Sequence, residues 1–286
     1  PAATLLLVAG RNPAEAAAAA SAMVLAPQLL SGQSATVAAQ RAPQRRPYEA
    51  PRWLPPDRAA RFGELVDRGT LQVAGFAPGA VTVPLRTAPD LVTWRGHGFP
   101  VDLALRAPPG PVVDVARTRL DVGVSGAFLG AVPLADAPAW PWSWMRARLG
   151  MDAAPQAARI AVPPWLVSGR NELQLRFDMR PLSRGDCIGI PAEVQASIDP
   201  ASTVDISRAH RFAMLPNLAF FASAGFPFTR LADLSETAVV LPEQPGPVEL
   251  SAFLGMVGGL SAMVGVPATG LQVVRPGQLQ QVADRD

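Results

Sequence analysis

At 286 residues the chain is longer than a usual single domain, and with 49% apolar residues it has material for more than one buried core. Its net charge is only +2, and arginine supplies every one of the 25 Lys-or-Arg positions, with no lysine and no Arg-dense stripe, which argues against a nucleic-acid partner. A single cysteine, Cys187, leaves no disulfide within the chain and no Cys-based metal spacing, and His97 and His210 sit in no ligand motif.

Pro1 opens directly before the apolar run Thr4 to Val8 without a charged leader or cleavage site, so no signal peptide is expected within the chain. Both ends read as lying inside domains. Thr4 to Val8 predicts a strand, and Asn12-Pro13 with Glu15 predicts the start of an Ala-rich helix that Pro27 interrupts. This is one βα step, whose partner strands are expected upstream. Arg41 to Pro56 turns to Arg, Gln and Pro, which is linker chemistry.

Short β-type runs follow at Leu71 to Val73, Val81 to Leu85, Val101 to Leu105, Leu120 to Val124, Phe128 to Val132, Arg159 to Val162, Glu172 to Phe177 and Glu193 to Ile198. Ser125-Gly126 sits where a hairpin loop belongs, and Leu173, Leu175 and Phe177 alternate with Gln174 and Arg176, placing the first three on one face. Strands this short and this many predict an antiparallel sandwich or jelly roll. Beyond it, Leu215 to Ser223 predicts a short helix, and Ala238 to Leu241 and Leu271 to Val274 predict strands of a parallel sheet. The segment between those strands, Val248 to Ala268, is nearly long enough to span a bilayer, but Glu249, Gly258-Gly259 and Pro267 interrupt it. Leu250, Phe253, Leu254, Val257 and Leu260 recur at helical spacing, so it reads as an amphipathic or core helix.

Catalytic motifs are missing: there is no GxSxG elbow, no Walker loop, and no GxGxxG after a strand. Asp178, Asp186 and Glu193 are close in sequence, yet on presumed strands and a loop of unknown facing they read as solvated carboxylates rather than an acid pair. Aromatic chemistry remains. Trp140, Trp142 and Trp144 crowd into "APAWPWSWMRARLG", where an extended backbone would set three indoles on one face as a stacking platform; folding over the sandwich would bury them instead. Trp53, Trp94 and Trp165 adjoin prolines and strands and are expected in the core.

Several longer stretches resemble one family. "YEAPRWLPPDR" from Tyr48, "APDLVTWRGHGFPVDL" from Ala88, "GRNELQLRFDMRP" from Gly169, "IDPASTVDIS" from Ile198 and "LPNLAFFASAGFPFTRLADLSETAVVLP" from Leu215 together resemble the periplasmic regulatory component of bacterial cellulose synthase, BcsB. The resemblance implies a mixed β and α/β fold, a jelly-roll carbohydrate-binding-like β-sandwich flanked by partial flavodoxin-like α/β domains. On that map residues 1–45 end a first flavodoxin-like domain, 46–210 form the jelly roll, and 211–286 begin a second flavodoxin-like domain. Phe226, Pro227 and Phe228 then fall at an interdomain joint, with Asp233 to Glu236 turning the chain into the next strand.

The implied role is non-catalytic and periplasmic. Such a protein supports the membrane-embedded catalytic cellulose synthase subunit, guides nascent cellulose (β-1,4-glucan), and meets the inner membrane through an anchor outside this chain. No cofactor is implied, and a flavodoxin-like fold carries no flavin with it. The family also bears a historical cyclic di-GMP-binding label. Arg41 and Arg45 give an RxxxR spacing, but the DxSxxG turn that accompanies it in cyclic di-GMP receptors is absent, since "DISRAH" at Asp205 lacks the glycine. A free-standing glycan-binding or glycan-active jelly-roll protein is the competing reading.

Overall fold

The computed structural model describes residues 5–106, 113–114, 117–134, 156–167, 169–181 and 194–283. The chain divides into two units, Pro51–Pro227 and a second made of Pro1–Ala50 with Phe228–Asp286. In chain order the first elements are helix α1 (Pro13–Leu25), strand β1 (Ala60–Arg61), helix α2 (Phe62–Leu65), and strands β2 (Gln72–Ala74), β3 (Val81–Arg86), β4 (Leu91–Val92), β5 (Phe99–Arg106), β6 (Arg119–Val124) and β7 (Ala127–Pro133). Strands β8 (Gln156–Val162), β9 (Arg170–Asp178), β10 (Gln195–Ile198), β11 (Thr203–Val204) and β12 (His210–Arg211) follow. Helix α3 (Leu218–Ala224), strand β13 (Ala238–Val240), helix α4 (Pro247–Val264) and strand β14 (Gln272–Val274) complete the order.

Pro51–Pro227 is a β unit. One antiparallel sheet runs β1-β11-β5-β10-β2 with β8 also on β5, a second runs β3-β9-β6-β7, and β12 pairs with β4. Each of the eight β-type runs becomes a strand; the two-residue strands β1, β4, β11 and β12 are too short to leave a periodic signal. The alternation decides the facing. Leu173, Leu175 and Phe177 of β9 are buried together with Val83 and Leu85 of β3 and Leu120, Val122 and Val124 of β6. They join Phe99, Val101, Leu103 and Leu105 of β5 in one continuous core, to which both large sheets contribute. At about 1.5–3 kcal/mol per fully buried aliphatic or Phe side chain, this core is the dominant favourable term for the unit.

The β6–β7 connection holds register because Ser125 (φ 47°) and Gly126 (φ 87°) supply the two left-handed residues that a two-residue hairpin turn needs. On the outer face, Arg119 lies opposite Asp178 and Asp121 opposite Arg176, a ladder of exposed charges that keeps that face in water. Across the other sheet Asp102 of β5 faces Arg159 of β8, and the two are hydrogen-bonded through both carboxylate oxygens.

The second unit is α/β. Asn12 caps α1 by accepting the Glu15 N–H at 2.9 Å, Pro13 occupies the first helical position, and the helix stops before Pro27. Leu5 to Val8 is not a strand, contrary to expectation: without a hydrogen-bonded neighbour among the described residues its backbone has nothing to pair with, and Leu5, Leu6 and Leu7 are exposed. Tyr48 N–H donates to the Arg230 carbonyl at 2.7 Å within this unit. The turn before β13 forms as the sequence indicates, with Asp233 Oδ1 accepting from Ser235 N–H and Leu234 in the left-handed region. β13 and β14 pair in parallel, Ala238 with Gln272 through Val240 with Val274, and α4 connects them.

Helix α4 corrects the core reading. Only Leu260 and Val264 are buried, Phe253 and Val257 are half-buried on the same stripe, and Leu250 and Leu254 stand outside it. The buried stripe is therefore about one residue wide per turn. By length and composition α4 passes as a membrane span, which by itself is weak support for one.

Candidate functional site

The β unit carries an open groove of about 630 Å³ between β4, the turn after β8, the segment after β12, and α3. Its shape follows from how each wall is anchored. β12 is registered on β4, His210 opposite Val92 and Arg211 opposite Leu91. Arg211 Nη1 donates to Asp90 Oδ1 at 3.1 Å, and Asp90 is buried, its side chain only 3% exposed. Phe212 N–H donates to the Asp90 carbonyl at 2.9 Å. This buried ion pair therefore fixes the strand pair from which Val92 and Phe212 project.

The opposite wall is a 3₁₀ turn, Pro164–Leu166, that follows Pro163. Val167 is fully buried, its carbonyl accepts from the Thr87 hydroxyl at 3.1 Å, and Leu166 packs against the core. With Leu166 and Val167 turned inward, Trp165 is turned outward and is 71% exposed. Its expected place in the core is thus corrected. Trp53 is buried as expected, and the side chain of Trp94 lies outside what the structure describes.

The third wall is α3. Asn217 Oδ1 accepts the Phe220 N–H at 3.1 Å as an N-cap, and Gly225, at φ 70°, closes the other end by donating to the Phe221 carbonyl at 2.7 Å. Phe226 packs edge-to-face on Phe220 at 6.4 Å between centroids, adding an aromatic contact that holds the short helix in place.

The groove surface is apolar and aromatic. Trp165, Phe212 (65% exposed) and Met214 (77%) present the largest faces, and none of the lining residues among the described ones is ionisable. Two polar groups lie in the wall. The Thr93 hydroxyl is buried and makes no hydrogen bond among the described residues, and the Asn217 amide nitrogen is left over after its oxygen caps α3. Such a surface can stack and hydrogen-bond a neutral ligand; it holds no acid, base or nucleophile pair.

Of the residues singled out from sequence, Trp140, Trp142 and Trp144 lie outside the described residues, in the segment that joins β7 to β8, as do Asp186, Cys187 and Glu193. Asp178 is described: it sits on the outer face of β9, ion-paired with Arg119 and Arg180. Phe226 is buried, the Phe226-Pro227 peptide is cis, and the division between the two units falls between Pro227 and Phe228. Among the described residues no group of three or more His, Cys, Asp or Glu side chains is placed to hold a metal. The groove residues are not singled out as a site by the sequence reading, which places Trp165 in the core, although the alternating Phe212 and Met214 in "RFAML" are a signal for outward-facing apolar side chains.

Comparison with known proteins completes the picture. Residues 59–203 match the family described as "Cellulose synthase BcsB, second CBM domain", and residues 211–286 match "Cellulose synthase BcsB, second FD domain". A putative cellulose synthase 3 of Komagataeibacter xylinus is 42% identical over 279 residues, covering 97% of this chain and 18% of that protein. A cyclic di-GMP-binding protein of Pseudomonas fluorescens (strain SBW25) is 38% identical over 286 residues, 99% of this chain and 38% of the relative. A cyclic di-GMP-binding protein of Komagataeibacter xylinus is 40% identical over 241 residues, 83% of this chain and 30% of the relative. The chain therefore spans well under half the length of these curated relatives. With one family model covering half of the chain and a second following it in order, the chain belongs to the cellulose synthase BcsB family.

Proposed function

We propose that these residues form part of a non-catalytic periplasmic component of a bacterial cellulose synthase assembly. It supports the membrane-embedded catalytic subunit of that assembly and guides the nascent β-1,4-glucan, and it is held at the inner membrane by an anchor outside these 286 residues. In this reading the β unit is a jelly-roll carbohydrate-binding-like domain, the α/β unit is flavodoxin-like, and Phe226 to Phe228 serve as the joint between them. The observation that carries it is the pair of consecutive family matches, carbohydrate-binding-like then α/β. The pairing of Asp178 with Arg119 and Arg180 supports a structural role for that carboxylate rather than an acid-base one. Trp140, Trp142 and Trp144 remain candidates for glucan or partner contact.

The test uses the natural full-length protein with its catalytic partner in membrane vesicles supplied with UDP-glucose. Co-purification of the two, and loss of glucan synthesis when the full-length protein is omitted, is the expected result. Undiminished synthesis without it would overturn the reading.

A further inference from the structure

We propose that the groove between Trp165 and Phe212 is a binding site for an extended, neutral β-linked glucan segment, held by stacking on the two aromatic faces. The identification of the polysaccharide as β-1,4-glucan rests on the functional reading above; the chemical class of the ligand rests on the groove itself. Among the described residues the wall has no ionisable side chain, in a protein where charged residues make up 17% of the sequence, so a phosphate, a nucleotide or a charged peptide would find no counter-charge from them. The groove is also too polar for a wholly apolar occupant. A buried hydroxyl at Thr93 without a partner, and an amide nitrogen at Asn217 left over by capping, call for a ligand that brings its own donors and acceptors. A pyranose meets both conditions, because its faces are C–H and its rim is hydroxyl. Laid on an indole, it buries apolar area while its hydroxyls remain at the edge, within reach of groups such as Thr93 and Asn217.

Three features make the site preorganised rather than a loose apolar patch. Trp165 stands on a turn whose next two residues are packed inward, Phe212 follows a strand pinned by the buried Asp90–Arg211 pair, and α3 is capped at both ends. A rigid platform spends little ordering entropy on binding. The volume, about 630 Å³, lies in the range of small-ligand sites, and the groove is open, as a polymer segment passing through requires.

Titration of the full chain with cellohexaose, with maltohexaose as the curved α-linked comparator, tests the proposal. Cellohexaose is expected to bind more tightly than maltohexaose. Trp165→Ala and Phe212→Ala should each weaken cellohexaose binding about tenfold, Trp165→Tyr should recover most of the loss, and Thr93→Val should cost about threefold. Melting temperatures of the aromatic variants should stay at the parent value, since both side chains are exposed. Absence of cellohexaose binding by the parent chain, or equal binding by the Trp165→Ala/Phe212→Ala double variant, would overturn the site. So would a double variant that keeps its sugar affinity but loses self-association in sedimentation, which would assign the groove to a second copy of the chain. These failures are separable from failure of the functional reading. If the full-length protein is required for synthesis but the groove variants bind sugar normally, only the site falls. If it is dispensable for synthesis while cellohexaose still binds through Trp165, only the wider reading falls.

Discussion

The β unit and the α/β unit differ in what their apolar patterns achieve. In the β unit every second residue of β5 and β6, and of β9 from Leu173 onward, is buried, because the two large sheets share one core. In the α/β unit the 18-residue helix α4 is apolar nearly throughout, yet Leu260 and Val264 are its buried residues, and the neighbouring sheet is a pair of three-residue strands. Periodicity states which face is apolar; only the neighbouring layer states whether that face is covered. The sharpest test of the difference is a pair of matched truncations. Leu175→Ala, in the β core, should cost about 3–4 kcal/mol in denaturant unfolding, whereas Leu254→Ala, 65% exposed on α4, should change stability by less than about 0.5 kcal/mol. Similar costs at the two sites would mean that α4 is covered in solution by something that makes it equivalent to the β core.

The next contrast is within the β unit, between its apolar core and the buried ion pair beside the groove. Arg211→Met removes the Arg211 guanidinium from Asp90 while keeping most of the side-chain bulk, and should cost about 2 kcal/mol by weakening the compensation of a buried carboxylate. Because the same pair sets β12 on β4, the variant should also lower cellohexaose affinity more than its stability loss alone explains, while Leu175→Ala, distant in role, should not. An unchanged denaturant midpoint would show that the pair contributes nothing to holding the wall.

These two contrasts also mark what is legible in the sequence. The hairpin at Ser125-Gly126, the inward trio Leu173, Leu175 and Phe177, the Asn12 cap and the parallel β13–α4–β14 order all rest on local rules that involve few residues, and all are readable. Leu5 to Val8 and α4 mislead because burial depends on partners that local pattern does not supply. Trp165 misleads because a hydrophobic residue between a proline pair and an apolar dipeptide normally packs inward. Here Leu166 and Val167 take the inward positions and leave the indole outside. The groove as a whole is out of reach of local pattern. It joins residues from positions 89 to 220, and its key strands, β4 and β12, are two residues long.

Helix caps sharpen the comparison at a smaller scale, because the same chemistry occurs in both units. Asn217→Ala and Asn12→Ala each delete an Asn that accepts a backbone N–H at a helix N-terminus, an interaction worth about 1 kcal/mol. Their readouts should differ. Asn217 caps a helix that packs through Phe220 on Phe226, so its loss should lower the global unfolding midpoint. Asn12 caps a helix whose only buried residue is Ala22, so its loss should appear as faster amide exchange in α1 with the global midpoint unmoved. A global shift from Asn12→Ala would show that α1 unfolds together with a larger cooperative unit.

The smallest expected effect is a pH dependence at the surface of the β unit. The hydrogen bond from Arg159 holds the Asp102 carboxyl below its ordinary range, with burial opposing slightly and the Arg159 charge adding to the depression. A carboxylate whose pKa is lower in the folded chain stabilises the fold fully above the unfolded-state pKa, near 4, and loses that contribution as pH falls through the lower folded value. Asp102→Asn should therefore unfold slightly earlier than the parent at pH 7, and the two curves should converge as the pH falls through the lowered folded-state value. The difference should be smaller than that of Asn217→Ala, because both partners are largely exposed, and it should shrink further in about 0.5 M salt. Glu15, drawn down by the Arg11 side chain and backbone in the same way, offers the matching experiment in the α/β unit. Its charge should influence exchange in α1 and leave the acid limb of global unfolding untouched. A gap between parent and Asp102→Asn that persists undiminished throughout the acid limb would mean that the substitution acts through strand packing and not through the carboxylate charge.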